Sequence, residues 1–363
     1  MKNYKNGLFA IIILLPNINF AQIDTIKLAK KKQTIIFPVI ARSIETSWSF
    51  GVAASSTFHL SKTDTVTRTS NVQLLALYSL KKQFIAALVG SQYTKNESYI
   101  FNEAITYSSF PDKFWGLGKN TPENAEESYS FNQYYINLHV LKNLGHHFFV
   151  GSLLEVQNLM KINYTKGGLF DAQNIAGRNP YFIAGIGASL TYDNRSNAFS
   201  PDKGTFAQMY FNHFDKYLGS DYIYSNIVLD VRKYFSFKKK VLAFQGYYSG
   251  NFGDDIPIRS IATLGGSNRM RGYYEGRYRD YQSIVVQSEA RLPVYKRFGA
   301  VVFGGVGDVG KTINDFSLPD LKFSYGAGLR FAINKTEKLN IRVDYGFAGN
   351  GSSGLYFQLG EAF

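Results

Sequence analysis

From position 33 to the last residue the chain alternates. Between Tyr281 and Leu292, Ile284, Val286, Ala290 and Leu292 fall on one face, and Val285, Gln287, Glu289 and Arg291 on the other. Leu339 to Phe347 repeats the pattern, with Leu339, Ile341, Val343, Tyr345 and Phe347 opposing Asn340, Arg342, Asp344 and Gly346. In the last segment Leu355, Phe357, Leu359 and Phe363 oppose Tyr356, Gln358 and Gly360. A period of two is that of a strand. Carried along the chain, it predicts 16 strands, near 33–42, 47–60, 69–80, 83–94, 97–109, 127–142, 146–161, 181–193, 203–215, 221–236, 239–252, 281–292, 296–308, 321–333, 337–347 and 352–363.

Loop lengths separate a barrel from a soluble sandwich. With both ends of the chain on one side, the long connections 110–126, 162–180, 253–280 and 309–320 fall together. The short turns near 143–145, 237–238, 293–295 and 334–336 fall at the other end. Long outside and short inside is the arrangement of an outer-membrane barrel, and a sandwich has no reason to sort its loops so. The turn at 194–204 and the short first outer loops depart from the rule. The expected fold is therefore all-β, a 16-stranded antiparallel transmembrane β-barrel over 33–363, closing 33–42 on 352–363.

Composition agrees. Aromatic residues make up 16% of 363, with 33 glycines and 18% charged residues, which suits strands, tight turns and interfacial belts. The absence of cysteine excludes disulfides and thiolate metal sites. A net charge of +13 fits nucleic acid or anionic lipid head groups and does not choose between them. Met1-Lys2-Asn3-Tyr4-Lys5, the apolar run from Gly7 to Leu15, and Asn19-Phe20-Ala21 before Gln22 predict a cleaved signal peptide over 1–21. No later run reaches the roughly 18 apolar residues of a spanning helix. Lysine-rich 22–32 reads as a periplasmic stub, too short for a folded domain of on the order of 50 residues.

Candidate chemistry is sparse. His146-His147 sits at a short turn, where neighbours diverge and chelate poorly. Gly185-Ile186-Gly187 and Gly326-Ala327-Gly328 lie in strands with no helix following, so they are not dinucleotide loops. Phe114-Trp115-Gly116-Leu117-Gly118 reads as part of an outer aromatic girdle. No catalytic set, metal site or cofactor is expected. The stretch that breaks the alternation is Leu264–Asp280, with four arginines and three tyrosines between glycines. It reads as a long, structured loop. A solvated basic loop and a nucleic-acid contact are the other readings, and the flanking strands decide against both.

Three motifs resemble the BamA/TamA superfamily, the bacterial surface antigens, as a set covering about 33–363. They are Gly265-Gly266-Ser267 with Arg271-Gly272-Tyr273; Tyr192-Asp193-Asn194-Arg195 followed by Pro201 and Gly204; and Gly307-Asp308-Val309-Gly310. The family carries an Arg-Gly-aromatic motif in its sixth extracellular loop, and strand counting makes 253–280 the sixth outer loop here. The resemblance implies that this loop folds into the lumen and that Arg271 meets acidic residues of the wall. Asp308 is the expected partner by motif, with Glu289 and Asp344 sharing the network. Alternatively, these charges line a wet lumen. The resemblance further implies a part in insertion or translocation of outer-membrane or surface proteins. Unfolded clients and lipopolysaccharide would be its partners, with a separate periplasmic protein in place of the family's client-capturing POTRA domains. A structural or pore-forming transport barrel is the alternative.

Overall fold

The computed structural model describes residues 33–60, 67–197, 199–334 and 338–363; the expected signal peptide and stub lie outside the described residues. The wall begins with β1 (Gln33–Ser43), β2 (Ser47–Phe58), β3 (Ser70–Ser79), β4 (Phe84–Tyr93), β5 (Tyr99–Phe114) and β6 (Glu127–Gly145). It continues through β7 (Phe148–Asn163), β8 (Tyr181–Asp193), β9 (Gly204–Phe214), β10 (Tyr224–Phe237) and β11 (Lys240–Phe252). A short ribbon, β12 (Ala262–Leu264) with β13 (Tyr278–Asp280), stands apart. The wall resumes with β14 (Gln282–Tyr295), β15 (Phe298–Gly310), β16 (Lys322–Asn334), β17 (Leu339–Ala348) and β18 (Ser353–Leu359). Each wall strand pairs antiparallel with its sequence neighbours, β11 pairs β14 across the sixth loop, and β18 meets β1 to close a barrel of 16 strands.

The alternation seen in sequence is the two sides of this wall. Val286, Val302, Leu329 and Tyr345 are exposed outward, while Gln287, Glu289, Arg342 and Asp344 are buried inside. A bilayer demands this, because backbone polar groups must pair within the wall while side chains meet lipid. Toward the loop end, Phe84, Tyr107 and Tyr134 form a chain of ring contacts on the outer surface, with centroids 6.1 and 4.8 Å apart. Such rings mark the level of the lipid head groups.

The wall is uneven. β3 and β4 have 10 residues each, and β6 has 19. At about 3.3 Å per residue these run roughly 33 and 63 Å along the strand. The tall side rises beyond the membrane, where Phe114, Tyr129, Phe131, Phe170 and Ile258 of three loops and their strands pack into a buried aromatic core.

Two sequence expectations are corrected. Phe114 and Trp115 are buried rather than facing lipid, and Trp115 packs edge-on against Tyr274 of the sixth loop at 5.3 Å. The last strand ends at Leu359, not at Phe363. Gly360, at φ +81°, turns the chain off the wall, and its N–H donates to the Asn340 carbonyl at 2.7 Å. Phe363 is thereby buried inside against Tyr234 and Ala243. β1 pairs β2 along its whole length, but among the described residues the β1–β18 ladder is the single pair Arg42↔Phe357.

Candidate functional site in the barrel lumen

Segment 253–281 turns inward from the rim. Its base is the β12–β13 ribbon, which pairs Leu264 with Tyr278. Gly265 and Gly266 follow at φ +112° and +103°, and the Gly266 N–H donates to the Tyr273 carbonyl at 3.1 Å. This tight reversal drives the tip, 268–273, down onto β14–β18.

Arg271 lies at the tip, 1% exposed. Its Nη1 donates to Asp344 Oδ2 and its Nη2 to Glu289 Oε2, both at 2.6 Å. Its guanidinium carbon stands 3.5 Å from the Phe303 ring centroid. Two carboxylates and an aromatic face thus hold one planar cation, as a guanidinium requires once it leaves water. The network widens through the wall. Arg291 Nε donates to Glu289 at 3.0 Å, Arg330 Nη1 to Asp344 at 2.5 Å, and Arg342 Nη1 to Asp344 at 3.3 Å. The tail joins it: Arg330 Nε donates to Glu361 Oε2 at 2.7 Å, and Arg291 Nη2 to the Phe363 carbonyl at 2.7 Å.

Gly272 makes the close approach possible. It sits at φ +117°, and a Cβ there would lie 2.6 Å from the Phe347 carbonyl carbon. Gly346 answers from β17, where a Cβ would lie 2.5 Å from the Arg271 carbonyl oxygen. With no side chain between them, loop and wall backbones touch. The Gly272 N–H donates to Tyr356 Oη at 2.9 Å, and Tyr273 Oη accepts from Gly349 N–H at 3.0 Å.

The structure brings Arg271, Glu289 and Asp344 together and leaves Asp308 elsewhere. The Asp308 carboxylate accepts from Val309 N–H at 2.9 Å and stands 3.7 Å from Lys119 Nζ. Register is the reason: Glu289 pairs Phe303 while Asp308 pairs Ile284. Asp308 is therefore five residues, or roughly 16 Å, farther up the wall. The periplasmic turn forms a second cluster. Asp193 accepts from Arg195 Nε at 2.8 Å and from Arg68 Nη1 at 2.6 Å, with Pro201 buried nearby and Gly204 at φ +110°.

Two contributors carried no local signal. Asp112 on β5 accepts from Tyr129 and Tyr274 hydroxyls at 2.8 and 3.0 Å and from Arg259 at 3.2 Å. Arg277 of the sixth loop is also buried. It donates to Thr121 Oγ1 and the Thr121 carbonyl at 2.8 Å each, and to Glu123 at 3.1 Å. Glu123 is largely exposed, so water replaces much of what is lost on truncation. Arg277→Ala is expected to cost about 1 kcal/mol. The shift of the heat-dependent gel mobility of the folded barrel measures it, and a loss as large as that of Arg271→Ala would refute the distinction.

The Omp85 superfamily domain matches residues 46–363. Among solved structures, the chain is similar to BamA from Haemophilus ducreyi lacking POTRA domains 1-3, with TM-score 0.57 and 14% identity, covering 91% of this chain and 70% of that one. It is also similar to CdiB from Acinetobacter baumannii, with TM-score 0.55 and 10% identity, covering 90% of this chain and 59% of that one. The chain thus spans less than two thirds of the CdiB chain. Among curated proteins, none matches.

Proposed function

Because the chain belongs to the Omp85 superfamily and is an integral outer-membrane barrel, we propose that it assists the insertion or translocation of outer-membrane or surface proteins, with the β1–β18 seam as the place where a client strand pairs. The observation that carries this reading is the unpaired stretch of β1. Below Arg42, residues Gln33 to Ala41 have no ladder partner on the β18 side among the described residues. An unpaired edge offers its N–H and C=O groups to another strand. Within lipid such groups are costly to leave open, so a client edge gains what the barrel itself forgoes. Ile36 and Ile40 face outward along this edge, and a cavity of about 240 Å³ lined by Ser43, Ser49, Gln83 and Phe357 lies behind it.

The absence of native cysteine makes a clean test available. Arg42→Cys with Phe357→Cys places thiols on the one bridged pair, within the reach of a disulfide. In proteoliposomes, the reduced protein is expected to accelerate folding of a urea-unfolded barrel. The oxidised protein is expected to fall to the rate of empty vesicles. Equal rates in both states would remove the seam from the reaction. No acceleration by folded protein in either state would favour the structural or pore-forming alternative, which conductance across a planar bilayer then tests.

A further inference from the structure

On the low side of the wall a notch of about 300 Å³ opens at the outer rim, lined by Lys81, Lys82, Lys113, Leu80, Glu45 and Tyr274 among others. We propose that this notch binds the phosphate groups of an outer-leaflet lipid, with Lys81 and Lys82 as the phosphate ligands.

The level is right. The turn 80–83 joins β3 to β4, directly above Tyr78 and Phe84 at the aromatic belt. It therefore stands at head-group height, where lysines meet lipid phosphate. Leu80 and Tyr78 project outward below it, 66% and 57% exposed, and supply an apolar path for acyl chains. Opposite, the longer β5 forms the back of the notch and carries Lys113.

The charges are also right. Of the carboxylates lining the notch, Asp112 is taken by two tyrosines and Arg259, and Glu45 accepts the Glu275 N–H at 2.9 Å. Just beyond it, Glu126 holds Lys113 at 2.5 Å. Among the described residues, neither Lys81 nor Lys82 has an ion-pair partner. Lys81 donates one hydrogen bond, to the Ile44 carbonyl at 2.7 Å, leaving two N–H groups free. Burial first and the facing Lys113 second hold its ammonium below the ordinary lysine range, with Glu45 and Glu126 opposing the shift. Lys82, at φ +62°, is presented from the apex of the turn. A phosphomonoester on a sugar head group fits two adjacent ammoniums and a pocket of this size.

The test uses the purified full chain in detergent, with binding read by native mass spectrometry. The probes are bisphosphorylated lipid A, the same lipid dephosphorylated, and inorganic phosphate. Lys81→Gln/Lys82→Gln is expected to weaken bisphosphorylated lipid A by about 30-fold, and Lys82→Gln alone by about fivefold. Among the described residues the Lys82 side chain makes no hydrogen bond or ion pair, and its backbone turn bond to Ser79 survives the substitution, so the single variant keeps the test valid if the double variant folds poorly. Lys238→Gln/Lys239→Gln, at the opposite rim, is expected to leave binding unchanged. Equal binding of the dephosphorylated lipid, or equal losses from both double variants, would overturn the proposal. Inorganic phosphate binding as tightly as the lipid would overturn the lipid as its source.

Discussion

Arg271→Ala is expected to destabilise the barrel by about 3 kcal/mol and to release the sixth loop from the lumen. The residue joins two fully buried carboxylates, Glu289 and Asp344, and faces Phe303. Removing one partner of a buried pair generally costs about 3–5 kcal/mol. Here the lower end applies, because Arg291 still reaches Glu289 and Arg330 still reaches Asp344. The carboxylates keep partners, but the loop loses its only ionic hold on the wall among the described residues near its tip. Arg271→Lys is expected to fall between wild type and alanine, since a point charge cannot fork to both acids. Two measurements check this: the temperature at which gel mobility converts to that of the unfolded chain, and protease cleavage within 265–280. A loop as resistant to protease as wild type would sink the assignment.

Gly272→Ala tests the backbone contact rather than the charge. At φ +117° an L side chain is strained, and its Cβ would lie 2.6 Å from the Phe347 carbonyl carbon. The methyl group is smaller than any side chain lost in the arginine variant, yet its effect is expected to reach about 2–4 kcal/mol. Loop and wall must part, and the Gly272 N–H loses Tyr356. Gly246→Ala is the control. Nothing lies within 4 Å of the Cβ it would add, and a change within about 0.5 kcal/mol is expected. Equal thermal midpoints for the two variants would show that the close approach does not hold the loop.

Alternation made the strands legible, because lipid outside and polar lumen inside impose a period that needs no knowledge of partners. The inward placement of Glu289, Arg291, Arg342 and Asp344 follows from that period alone. Asp308 stands away from Arg271 because a motif gives residue type and not height along the wall, and height depends on register summed over several strands. Arg277 meets Thr121 and Glu123 from more than 150 residues away, a contact set by how high β5 and β6 rise. Phe363 continues the apolar alternation and still turns inside. The signal that could have corrected this was Gly360, a residue able to take the left-handed turn that ends the strand.

The tail's position has a thermodynamic consequence. Glu361 follows the end of β18 by two residues and is held by Arg330, which also holds Asp344, which in turn holds Arg271. Detaching β18 from the wall and unseating the sixth loop therefore draw on shared carboxylates, and the two equilibria are linked. Linkage is reciprocal: whatever factor a seated loop contributes to keeping the seam shut, a shut seam returns to keeping the loop seated. A ligand that grips the loop from outside would then bias the strand edge beside the loop tip without touching it, and a strand pairing with β1 would be felt at the outer rim as a looser loop.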